Sequence, residues 1–167
     1  MSFALSPERD KQLEEILERY PDQQAACIPL LHLCQEQNGW LSDDVLEWVA
    51  ARLELSAAHV RGVATFYSLL DTEPVGKHRI WVCRTLSCAL QGSDRVLAHI
   101  EKRLGIRCGE TTADGKITLR TAECLASCGT GPMMQVDLDY HEKLSLEDVD
   151  RILDELLSDE AADGSPS

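Results

Sequence analysis

Four of the chain's seven cysteines fall as two close pairs set far apart, Cys83 with Cys88 and Cys124 with Cys128, in the pattern C-x4-C-x35-C-x3-C. Thiolates are metal ligands, and sulfurs arranged two and two match the donor set of a [2Fe-2S] cluster, which takes two on each iron. Each iron needs two sulfurs that can converge, which suits short gaps in loops better than gaps inside rigid helices. Each pair follows on a β-like stretch, and if those stretches are neighbouring strands, both loops emerge at one sheet edge and enclose a site. Ala126, Ser127, Gly129, Thr130 and Gly131 are small enough to let backbone N–H groups approach sulfur. Such hydrogen bonds raise a reduction potential by stabilising the added electron.

Spacing alone leaves two alternatives open. Four-cysteine zinc sites use gaps of about two to four residues, which these gaps only just meet. A dithiol or disulfide switch is the other, although the C-x-x-C pair of thioredoxin-like redox sites is absent. Cys27 and Cys34 lie seven apart on one helix face and read as small apolar core residues. Cys108 has no close partner in sequence. None of the five histidines falls inside either cysteine loop, and there is no G-x-G-x-x-G or Walker A pattern. A nicotinamide or flavin site is therefore not evident, and a chain that moves electrons must exchange them with another protein.

The formal charge of -13 argues against nucleic acid and anionic membranes as partners. It is unevenly spread. Residues 77–120 carry nine Lys/Arg against four Asp/Glu, and residues 137–167 carry two against eleven. The basic stretch is the one that holds or flanks the cysteines. Two ferric ions, two sulfides and four thiolates total about -2, and one added electron makes about -3. Arg84, inside the first loop, with Arg79 and Arg120 close by, is expected to offset part of that charge. No apolar run reaches the roughly 20 residues needed to span a bilayer, and the polar start is unlike a signal peptide. A reducing, cytoplasmic setting without direct membrane insertion is expected, in which cysteines are thiols or metal ligands.

The elements that must position the four sulfurs read as α/β, with an N-terminal helical bundle at residues 1–75 that carries no chemistry of its own. Ser6-Pro7 opens a helix with Leu13, Ile16, Leu17 and Tyr20 on one face, ended by Pro21. A second helix is expected over residues 24–37, closed at Asn38-Gly39. Ser42 and Ser56 cap a third and a fourth. A turn-rich segment near 71–77 leads to a second domain at residues 76–158. There the pattern predicts strands at 78–83, 116–121 and 133–138, with a short fourth at 139–143, and helices at 93–104 and after a capping box at Ser145–Asp148. The sum is β-α-β-β-α, a thioredoxin-like sandwich. Residues 159–167 read as a disordered acidic tail.

With these residues in view, the chain resembles the family of E-type subunits of NADH:quinone oxidoreductase (respiratory complex I), thioredoxin-like [2Fe-2S] ferredoxins. The resemblance rests on Gly62-Val63-Ala64-Thr65-Phe66-Tyr67, on Val82-Cys83-Arg84-Thr85-Leu86-Ser87-Cys88, on residues 109–116, and on Glu123-Cys124-Leu125-Ala126-Ser127-Cys128 followed by Pro132. It covers about residues 13–157. It departs from the family at Ala126, where glycine is usual, and at Gly131, where alanine is usual. The resemblance implies a [2Fe-2S] cluster on Cys83, Cys88, Cys124 and Cys128, and a one-electron carrier peripheral to an NADH-oxidising complex. It implies as partner a larger flavoprotein subunit that binds NADH and FMN, through which the chain would sit at the cytoplasmic face of the membrane. The same module occurs in NAD-reducing hydrogenases and NAD-dependent formate dehydrogenases, which the sequence does not separate.

Overall fold

The computed structural model describes residues 3–158; the expected tail at 159–167 lies outside the described residues. The chain divides into two compact units between Pro74 and Val75.

The first unit holds α1 (Pro7–Arg19), α2 (Cys27–Asn38), α3 (Asp43–Arg52) and α4 (Ala57–Phe66). Three begin at a serine whose hydroxyl accepts a backbone N–H three residues on: Ser6 from Arg9 at 3.3 Å, Ser42 from Val45 at 3.4 Å and Ser56 from His59 at 3.2 Å. Such caps are each worth about 1 kcal/mol. α2 starts later than the expected residue 24. Residues 23–26 form a turn instead, with the Asp22 carboxylate accepting the Ala25 N–H at 2.8 Å and Cys27 N–H donating to Gln24 C=O at 3.1 Å. The apolar faces meet in a core that includes the fully buried Leu13, Leu30, Leu31, Leu41 and Val49.

The second unit runs β1 (His78–Cys83), α5 (Leu86–Leu90), α6 (Ser93–Leu104), β2 (Ile117–Ala122), β3 (Met134–Val136), β4 (Asp139–His141) and α7 (Leu146–Ser158). The sheet order is β2-β1-β3-β4. β1 pairs parallel with β2 and antiparallel with β3, and β3 pairs antiparallel with β4. Parallel neighbours need a long crossover, and α6 lies in it. Ile80, Val82, Leu119 and Met134 share a core with Val96 and Ile100 of α6 and Val149 and Leu153 of α7. α6 and α7 also touch through His99 and Asp150 at 2.8 Å and Arg103 and Asp154 at 2.5 Å. The capping box at α7 is reciprocal: Asp148 N–H donates to the Ser145 hydroxyl at 3.1 Å, and Ser145 N–H to the Asp148 carboxylate at 3.2 Å.

Two details differ from the sequence expectation. Cys88 lies within the helical turn α5 rather than in an open loop, because Ala89 N–H bonds back to Thr85 C=O at 2.9 Å and closes that turn. β2 is shifted by one residue from the expected 116–121 and ends at Ala122, so Cys124 sits two residues past the strand. Position then follows from register. Cys83 is paired with Ala122 at the last step of the parallel ladder, so both cysteine loops leave the sheet at the same end. The carboxyl ends of parallel strands are where α/β folds build sites.

Candidate metal centre

Cys83 is the last residue of β1, and its N–H bonds to Met133 C=O at 3.2 Å. The chain then passes through Thr85 into α5, which turns Cys88 back so that the two thiols hydrogen-bond each other. Both are buried, at 2 % and 1 % exposure, and pack with Met133 and Leu125. Cys124 and Cys128 form the second pair, exposed, with their sulfurs 3.7 Å apart. That is the edge of a tetrahedron with metal–sulfur bonds of about 2.3 Å. Among the described residues, no three His, Cys, Asp or Glu side chains form a group around one metal position. The sulfurs come together as pairs.

The two loops reach into each other. Leu125 N–H, from the second loop, hydrogen-bonds Cys83, and the Ser87 hydroxyl, from the first, hydrogen-bonds Cys128. Met133 N–H serves Cys88, and Ala126 N–H donates to the Cys124 sulfur at 3.3 Å. These are the donors that a buried or crowded thiolate requires.

Titration follows from this web. Burial pushes the Cys83 thiol up, but the N–H groups of Leu125 and Thr85, together with Cys88 and the Thr85 hydroxyl, outweigh it and hold Cys83 below the usual thiol range. Cys88 is pushed up to about 11, by burial first, then by the hydrogen bond and charge of Cys83, and further by Cys128. Cys128 is raised by the hydrogen bond and charge of Cys124, ahead of burial and the charge of Cys83, against the pull of Ser87. Negative charge on one sulfur is thus felt across both pairs.

Two backbone positions shape the second loop. Ala126 has φ +62°, a left-handed conformation that costs an L-residue about 1–2 kcal/mol and that glycine adopts freely. It aims the Ala126 N–H at Cys124. Gly131 precedes Pro132 across a cis peptide, and a Cβ there would lie 3.2 Å from the Cys88 sulfur and 2.9 Å from Gln91 Nε2. Gln91 fills the space that an alanine methyl would take.

Arg84 has a partner across the loops. Its guanidinium is engaged by the Glu123 carboxylate, with Nε at 2.8 Å and Nη2 on the same oxygen, so its charge is shared rather than directed at sulfur alone. The Arg120 guanidinium stacks 5.2 Å from the Trp81 ring centroid. Of the remaining cysteines, Cys27 and Cys34 are core residues of α2, burial pushing Cys27 up and Cys34 up to about 12. Cys108 is exposed, its sulfur 3.7 Å from the Thr121 hydroxyl. Sequence reasoning missed Ser87 and Glu123 as partners of the opposite loop; their place beside a cysteine was the only signal, and it does not tell which way a side chain turns.

A family model described as thioredoxin-like [2Fe-2S] ferredoxin matches residues 13–157. The chain belongs to that family. As a thioredoxin-like [2Fe-2S] ferredoxin it is similar to the second E-type subunit of the NADH-quinone oxidoreductase of Rhizobium meliloti (strain 1021), with 44 % identity over 86 % of each chain. It is also similar to the E-type subunit of the NADH-quinone oxidoreductase of Rickettsia felis, with 43 % identity over 87 % of this chain and 89 % of the relative. The corresponding protein of Rickettsia typhi is 40 % identical over 95 % of each. Among solved structures, an NAD+-reducing [NiFe]-hydrogenase in the air-oxidised state superposes with a TM-score of 0.72 at 17 % identity, over 84 % of this chain and 24 % of that one. The chain thus spans about a quarter of that hydrogenase chain, and the likeness is one of fold. The donor set fits the family's cluster: four thiols in two pairs, one of them with its sulfurs 3.7 Å apart, on loops that leave the sheet at the same end.

Proposed function

We propose that Cys83 and Cys88 hold one iron and Cys124 and Cys128 the other iron of a [2Fe-2S] cluster, and that the chain is the one-electron carrier of an NADH:quinone oxidoreductase. When bound, such a cluster takes up and releases single electrons. The chain's own part is to fix the sulfurs in pairs, to direct Leu125, Ala126 and Met133 N–H groups at them, and to keep water from Cys83 and Cys88. The observation that carries this reading is the pairing of Cys83 with Ala122 in the parallel ladder, which delivers both cysteine loops to one sheet end. The relatives' names favour a quinone oxidoreductase over the hydrogenase, whose likeness rests on fold at 17 % identity.

The reading extends to the rest of the molecule. The helical unit, residues 1–75, clamps a flavoprotein subunit that binds FMN and NADH, while residues 76–158 carry the cluster. Attachment at the cytoplasmic face, in this reading, runs through partner subunits; among the described residues no helix is long and apolar enough to cross a membrane. Iron and acid-labile sulfide analysis with low-temperature EPR of the reduced protein tests the centre. About two irons, two sulfides and an S = 1/2 signal per chain are expected. A single zinc per chain, without colour, would overturn the assignment. Co-purification of the flavoprotein should be lost on deleting residues 1–70 while the cluster spectrum persists.

A further inference from the structure

Glu142 belongs, by sequence, to the strongly acidic stretch that follows residue 137, and nothing in its spacing sets it apart. Its surroundings do. It follows β4 directly, and its Oε1 accepts from both the Ser127 hydroxyl and the Thr130 hydroxyl, the latter at 2.7 Å. Those two hydroxyls are themselves 2.6 Å apart, so three oxygens from two segments form one triangle. The backbone runs alongside: Lys143 N–H donates to Thr130 C=O at 2.8 Å, and Leu144 N–H to Pro132 C=O at 3.0 Å. Ser127 immediately precedes Cys128, and Thr130 closes the short helical turn that Cys128 opens. Cys83 and Cys88 are fixed by burial, with Leu125 packed against their apolar cluster, whereas Cys124 and Cys128 are exposed.

We infer that Glu142 is the positioning residue of the second cysteine loop, its carboxylate bracketing Ser127 and Thr130 so that Cys124 and Cys128 stay spaced to chelate one iron. It touches neither iron nor sulfur. The inference rests on the ligand assignment above. Hydrogen bonds to a charged acceptor are the stronger kind, and one carboxylate oxygen taking two hydroxyls restrains both ends of the turn.

The test uses the full-length, cluster-loaded protein as wild type, E142A, E142Q and S127A/T130V. Its readouts are the rate of cluster bleaching under an iron chelator, the EPR line width of the reduced protein, and the urea midpoint. E142A should lose its cluster about tenfold faster and broaden the EPR lines. E142Q, whose neutral amide oxygen still accepts both hydroxyls but more weakly, should fall between wild type and E142A. S127A/T130V removes the donors and should reproduce E142A, and adding E142A to it should cost nothing more. Wild-type bleaching and line width in E142A would overturn the inference, as would additive effects, or bleaching that merely follows the urea midpoint in every variant. Should E142A fail to fold, the S127A/T130V comparison decides alone. A C128S variant with an unaltered two-iron spectrum would instead overturn the ligand assignment, and the role of Glu142 with it.

Discussion

The Arg84 guanidinium and the Glu123 carboxylate join the two cysteine loops, one residue past Cys83 and one residue before Cys124, through Nε and Nη2 on a single carboxylate oxygen. Both side chains are more than half exposed, so the pair adds about 0–1 kcal/mol to stability. Its weight is electrostatic. Replacing Glu123 by glutamine leaves the Arg84 charge uncompensated beside an anionic centre, and cation charge favours the reduced, more negative state. E123Q should raise the midpoint potential by about 20–60 mV at low salt, the shift shrinking as salt screens it. Redox titration at two ionic strengths measures this. A lowered potential, or a shift independent of salt, would show that the pair does not set the local charge.

Ala126 carries the left-handed strain of the second loop. Glycine removes a cost of about 1–2 kcal/mol there but loosens the unfolded chain by about 0.5–1 kcal/mol. A126G should therefore gain about 0.5–1 kcal/mol, and A126V, β-branched at positive φ, should lose more than that. Urea unfolding of the three proteins decides it. Destabilisation by A126G would mean that the backbone at residue 126 is not left-handed.

Much of the fold was legible because local chemistry states it. Serines at 6, 42 and 56 mark helix starts, Pro21 marks a stop, and the Ile80/Val82 alternation marks a half-buried strand. Other features depend on distant partners. Residues 23–26 turn before α2 begins, and α5 forms around Cys88 because a turn closes onto Thr85, neither of which periodicity reveals. At the centre, residue types named the four sulfurs and their pairing, and the resemblance named the cluster. What spacing could not express was direction: that Arg84 turns to Glu123, Ser87 to Cys128, and the hydroxyls of Ser127 and Thr130 to Glu142. In sequence these residues read only as small neighbours with free N–H groups or as local cations.

Stability toward acid follows from carboxyls held below their usual range. Asp148 is lowered by its hydrogen bonds with Ser145 and then by Arg151, and Asp150 by its hydrogen bond with His99, with burial opposing and Arg103 assisting. A depressed folded-state value means that the unfolded chain binds more protons between the two values. The stabilisation is complete above the ordinary carboxyl pKa of about 3.9 and drains away as pH falls through the lower folded value. D148N and D150N should each be less stable than wild type at pH 7, with the gap closing below about pH 4. Urea unfolding followed by circular dichroism from pH 3 to 7 checks this. A gap that widens in acid would reverse the sign.

Gly131 and Gln91 form a coupled pair behind Cys88. A methyl at residue 131 meets Gln91 Nε2 at 2.9 Å and the Cys88 sulfur at 3.2 Å. Gln91 is held there by its Nε2 donation to Ser87 C=O at 3.0 Å. G131A must therefore expel the amide or press on a proposed ligand, and either costs about 1–3 kcal/mol, as overpacking does. Removing the obstruction should restore tolerance. Q91A alone should be mild, and G131A/Q91A should recover at least about 0.5 kcal/mol relative to the sum of the single changes. A double-mutant cycle read by urea unfolding and by the EPR signal measures the coupling, and strictly additive energies would mean that the crowding lies on Cys88 alone.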